Sequence, residues 1–103
     1  MDRLKAMFEL QKSFIEEFNV AMDSNTVHLA MIAEVVEALN ETPWKPWKKH
    51  QATTDKGKYA EELADVMHFL VEAAIAAGIT DEELFLAFAG KHAVNVARQQ
   101  EGY

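Results

Sequence analysis

The chain of 103 residues carries ten Lys and Arg against seventeen Asp and Glu, a formal charge of −7, and half of it is apolar. That length fits a single domain, residues 1–103, burying roughly 65% of its unfolded surface, and four Gly and two Pro exclude a disordered or collagenous chain. The acidic balance argues against nucleic-acid or membrane partners, and the absence of Cys excludes disulfides, thiolate metal sites and a thiol nucleophile. Met1-Asp2-Arg3-Leu4-Lys5 alternates charge with apolar residues, and no later segment approaches the ~18 apolar residues of a membrane span. A cytoplasmic location is the expectation.

In the first helix, Leu4, Met7, Phe8, Phe14, Ile15, Phe18 and Met22 recur at amphipathic spacing. Asp23, Ser24, Asn25 and Thr26 form a cluster of capping residues, and Val27 to Asn40 follows as a second helix that is apolar almost all round. Residues 41–58 hold both prolines, both tryptophans and Lys45, Lys48, Lys49, Lys56 and Lys58, half of the basic residues in one loop. A third helix spans Tyr59 to Ala77, with Gly78 suited to a left-handed stop. Thr80-Asp81-Glu82-Glu83 fits a capping box that opens a fourth helix to about Gln100, with Gly90 permitting close packing or a bend. Four helices without a strand candidate define an all-α, four-helix bundle.

Glu34 and Glu37 are the only charged residues between Val27 and Asn40, and Glu62 and Asp65 repeat their spacing on the third helix. Such acids commonly face solvent or pair with lysines. On two strongly apolar helices, two pairs turned inward require a cation, because desolvating unpaired carboxylates is expensive. An all-oxygen set suits Mg²⁺ or Mn²⁺. A di-iron or di-manganese carboxylate bundle would need two Glu-x-x-His motifs, and only Asp65-x-x-His68 comes near.

Lys91, Asn95 and Arg98 align on one face of the fourth helix, either as a phosphate grip or as ordinary basic residues complementing the helix dipole. Trp44 and Trp47 alternate with lysines, a pairing that offers a base a stacking surface and phosphates a charge, or that merely covers the end of the bundle. Gln11 sits within the apolar stripe of the first helix, where a buried amide either reads a base edge or bonds to backbone.

Four segments resemble the all-α, dimeric-type dUTPases within the MazG-like nucleoside-triphosphate pyrophosphohydrolases. They are Leu10-Gln11, Glu34-Val-Val-Glu37-Ala-Leu-Asn40-Glu-Thr-Pro-Trp44-Lys45-Pro-Trp47, Glu62-Leu-Ala-Asp65-Val-Met-His68-Phe69, and Lys91-His-Ala-Val-Asn95-Val-Ala-Arg98-Gln-Gln-Glu-Gly-Tyr103. The resemblance implies Mg²⁺ held by Glu34, Glu37, Glu62 and Asp65. It implies phosphates and the surroundings of the metal at Lys91, Asn95, Arg98 and Tyr103, with Lys45 joining them, and a uracil pocket at Gln11, Trp44 and His68. The implied reaction is Mg²⁺-dependent hydrolysis of dUTP, and of dUDP, to dUMP. A MazG-like enzyme for another base such as dCTP, and a non-catalytic nucleotide-binding module, are the alternatives. Family members carry further helices where this chain has only Ile79 to Gly90. The apolar faces thus left uncovered imply a homodimer or higher oligomer, with a site drawn from two chains.

Overall fold

A computed structural model describes residues 1–102 as four α-helices, with no strand among the described residues. Helix α1 runs from Arg3 to Phe18, α2 from Ser24 to Asn40, α3 from Lys56 to Ala76 and α4 from Asp81 to Gln100. The all-α expectation therefore holds. Tyr103 lies outside the described residues.

Side-chain caps set the start of each helix. Asp2 accepts from the Lys5 amide to open α1. Asn19 closes it in the left-handed region at φ 51°, so the helix stops before the apolar stripe reaches Met22. Asp23 accepts from Thr26 N at 2.7 Å, which starts α2 three residues ahead of the expected Val27. Asp55 does the same for Gly57 and Lys58, moving the start of α3 from Tyr59 back to Lys56. Gly78 takes φ 73° as expected. The Thr80 capping box forms reciprocally, with Glu83 N donating to the Thr80 hydroxyl at 3.1 Å and Thr80 N to Glu83 Oε1 at 3.2 Å.

Helices α2 and α3 share the most extensive interface, and α1 packs on α3. Glu34 lies near Asp65 and Glu41 near Glu62, so α2 and α3 run antiparallel. Phe8, Val71 and Ala74 form the buried cluster, with Leu4, Met7, Ile75 and Leu84 packed around it. Leu84 is the contribution of α4, which turns 110° away from α3 and meets α1 near its own start. From Phe85 onward every residue of α4 is exposed, including Phe88 at 74%. Gly90 has open space around it within the chain, and α4 continues through it unbroken. The radius of gyration is 16.8 Å, against about 13 Å for a compact chain of this length. No single helix among the described residues is long and apolar enough to cross a membrane.

Candidate active site

The antiparallel pairing of α2 with α3 brings the two acidic motifs face to face. One carboxylate oxygen from each of Glu34, Glu62 and Asp65 lies within 4.8 Å of the other two. Glu37 lies close enough to act on the ionisation of both Glu34 and Glu62. Three of the four acids singled out by their spacing converge, with the fourth, Glu37, close by.

That group strains its own ionisation. Glu34 is held above the usual carboxylate range, first by its hydrogen bond to Glu37, then by burial and by the charges of Glu37, Asp65 and Glu62. Burial raises Glu62 first, with the charges of Glu37, Asp65 and Glu41 adding. Glu34 Oε2 and Glu62 Oε2 are both withdrawn from solvent without a hydrogen-bond partner. Orphaned acceptors of this kind, at the centre of converging like charges, fit a bound cation. An all-oxygen donor set of this kind would suit Mg²⁺ or Mn²⁺, held by Glu34, Glu62 and Asp65. A di-iron arrangement fits less well. His68 is 4.0 Å from Asp65, 66% exposed, and outside the converging group.

One cavity borders the acids, and a second lies in the loop that begins at Glu41. The first, about 830 Å³ and largely apolar, is lined by Phe14, Gln11, His68 and Phe69, with Glu34 and Asp65 on its wall. Here Gln11 Nε2 donates to Glu72 Oε1 at 3.1 Å. Glu72 is 3% exposed, its Oε2 has no partner, and it too lines the cavity. Its place in the sequence carried a signal: it falls seven residues after Asp65, on the same helix face, between apolar neighbours.

The second cavity, about 490 Å³, is formed by the loop and includes Trp44, Lys45, Lys48, His50 and Lys58, with Glu41 on its edge. Gln51 clamps this loop by accepting from Lys45 N at 3.1 Å and donating to Lys45 O at 2.6 Å. Trp44 donates to Asn40 Oδ1 at 3.2 Å and meets Trp47 edge-on at 5.6 Å, while Lys45 Nζ lies 5.9 Å from the Trp44 ring. The predicted base-binding residues therefore divide. Gln11 and His68 line the first cavity, whereas Trp44 lines the second with Lys45.

Lys91, Asn95 and Arg98 line neither cavity, because the turn after α3 carries the distal part of α4 away from the acids.

An antiparallel helical pair with converging carboxylates that fit a cation, beside an apolar cavity and close to a lysine-lined loop, forms the candidate active site. A family model described as dUTPase matches residues 3–80, and the chain belongs to this dUTPase family. It is 37% identical over 71 residues to a dCTP pyrophosphatase of Enterobacteria phage LZ5, an alignment covering 58% of this chain. The chain spans 41% of the length of that relative. No solved structure gives a significant match.

Proposed function

We propose that the protein is a Mg²⁺-dependent pyrophosphohydrolase of pyrimidine deoxynucleoside triphosphates. The carrying observation is the convergence of Glu34, Glu62 and Asp65, two with buried oxygens lacking partners, beside an apolar cavity, with a lysine-lined loop cavity beginning at Glu41. Family membership supports dUTP as the substrate, with dUDP as a second, and dUMP as the product. The phage relative supports dCTP.

Glu34 borders the apolar cavity and Glu41 the basic one, seven residues along α2, or about 10 Å. A base seated beside Gln11 and His68 thus leaves its phosphates crossing the carboxylates toward Lys45, Lys48 and Lys58. Glu34, Glu37, Glu62 and Asp65 would hold the metal, with Mn²⁺ able to replace Mg²⁺. When bound, it supplies charge compensation to the phosphates and lowers the pKa of an attacking water. One carboxylate of this group would take that water's proton. Attack at the α-phosphorus breaks its bond to the bridging oxygen and releases pyrophosphate, whose charge the loop lysines neutralise.

A second copy of the chain completes this reading. The exposed Phe85, Leu86 and Phe88 need cover. The distal part of α4, with Lys91 and Arg98 as its only charged residues between Leu84 and Gln100, complements the acidic group of a neighbour. Lys91, Asn95 and Arg98 then bind phosphate in trans, in a homodimer or higher oligomer.

Thermal denaturation in Mg²⁺ and in EDTA tests the metal site without requiring turnover. Mg²⁺ is expected to raise the midpoint of the wild type and leave Glu62→Gln unmoved. Equal midpoints for the wild type with and without Mg²⁺, Mn²⁺ or nucleotide would remove the assignment.

A further inference from the structure

We propose that Glu72 selects the base: its buried carboxylate favours a pyrimidine carrying an exocyclic amine, as cytosine does, over one carrying a carbonyl there. The inference rests on the pyrimidine triphosphate reading and deepens it. Glu72 is 3% exposed, lines the apolar cavity beside the metal-fitting acids, and keeps Oε2 without a partner. Its other oxygen is occupied by Gln11 Nε2 at 3.1 Å.

This contact fixes what the wall of the cavity offers. A carboxylate only accepts, so the nitrogen of Gln11 must face it, leaving one further amide hydrogen on that nitrogen. Glu72 Oε2, an acceptor covered by its neighbours in the free chain, belongs to the carboxyl that Gln11 Nε2 holds, so a base that pairs with both must displace the side chains over it. Cytosine presents the complement, an amine donor at C4 next to the N3 acceptor. Uracil in the same seat opposes its O4 to the carboxylate and its N3–H to the amide N–H, two like-to-like contacts. Uracil satisfies Glu72 through N3–H only by shifting or turning its ring in the seat. Glu72 and its Gln11 bond occupy the base end of the site, apart from the converging oxygens of Glu34, Glu62 and Asp65.

The wild type is expected to hydrolyse dCTP with a kcat/KM about tenfold or more above that for dUTP, since a site built to bond a substrate N–H penalises the analogue lacking it. Glu72→Gln, the same size but neutral and able to donate, is expected to erode that ratio about tenfold, mainly by raising KM for dCTP and lowering it for dUTP. A measurement needing no variant uses the dCTP analogue whose ring carries hydrogen in place of the 4-amino group. The wild type should bind it at least about tenfold more weakly than dCTP, read by calorimetry in Ca²⁺. Equal affinity for the analogue, or a wild type favouring dUTP over dCTP, overturns the assignment to Glu72. A chain that binds dCTP over dUTP and the analogue but hydrolyses none of them upholds Glu72 and defeats the catalytic reading instead.

Discussion

Gln11→Met removes the amide that holds Glu72 while keeping the length of the side chain. The buried carboxylate then has neither oxygen partnered, because Oε2 already lacks a hydrogen bond and Glu72 is 3% exposed. Hydrogen bonds to charged groups contribute about 1.5–3 kcal/mol, so Gln11→Met should destabilise the metal-free protein by about 2 kcal/mol. For a domain of this size that lowers the thermal midpoint by about 8–16 °C. Glu72→Leu should act in the opposite direction. It replaces a poorly partnered buried carboxylate with an apolar side chain in an apolar cavity, and the half-exposed Gln11 can turn to water, so a gain of about 1–2 kcal/mol is expected. In the double variant Gln11→Met/Glu72→Leu the two effects cease to add, because the penalty of Gln11→Met exists only while the carboxylate is present. Urea unfolding followed by circular dichroism in EDTA measures all four proteins. A Gln11→Met variant within about 0.5 kcal/mol of the wild type, or strict additivity in the cycle, would refute the buried Gln11–Glu72 pair.

The remaining predictions concern the metal site, its ionisation and the placement of α4. Glu37→Gln and Asp65→Asn should each lower Mg²⁺-dependent turnover by roughly a hundredfold or more with an unchanged helical spectrum; either variant near wild-type rates contradicts the ligand set. Because Glu34 and Glu62 are raised in the folded state, it holds more protons than the unfolded chain at mildly acidic pH. Their contribution to metal-free stability therefore falls as pH rises from about 4.3 through their raised values, whereas Mg²⁺ affinity climbs over the same window. The lowered Asp23 works oppositely, its cap being lost toward lower pH, so the raised pair is isolated by comparing the wild type with Glu62→Gln in EDTA. A mixture of Glu37→Gln chains with Lys91→Ala/Arg98→Ala chains, each inactive alone, should regain turnover after co-refolding; continued inactivity would place α4 on its own chain.

How far the site could be read in advance follows from which forces are local. The Thr80–Glu83 box and Gly78 are settled by neighbours in sequence, and both appear as the pattern predicts. The starts of α2 and α3 lie earlier because Asp23 and Asp55 supply caps ahead of the first apolar residues. The acids converge because periodicity places each pair on one face and the antiparallel pairing of α2 and α3 does the rest. The route of α4 was not legible: the four residues between α3 and α4 turn the chain by 110°, and periodicity says nothing about the direction of a turn. Trp44 sits apart from Gln11 for a related reason, since Asn40 and Gln51 fix the loop through contacts that spacing does not reveal.

The central claim, metal-dependent pyrophosphohydrolysis of a pyrimidine deoxynucleoside triphosphate, is tested most directly by incubating the purified chain with dCTP, dUTP, dTTP, dATP and dGTP, in Mg²⁺ or EDTA. Products are resolved by ion-exchange chromatography. The account predicts the monophosphate and pyrophosphate from dCTP and dUTP in Mg²⁺, little from the purines, and nothing in EDTA. Release of inorganic phosphate alone, equal rates for purines and pyrimidines, or undiminished rates in EDTA would contradict it.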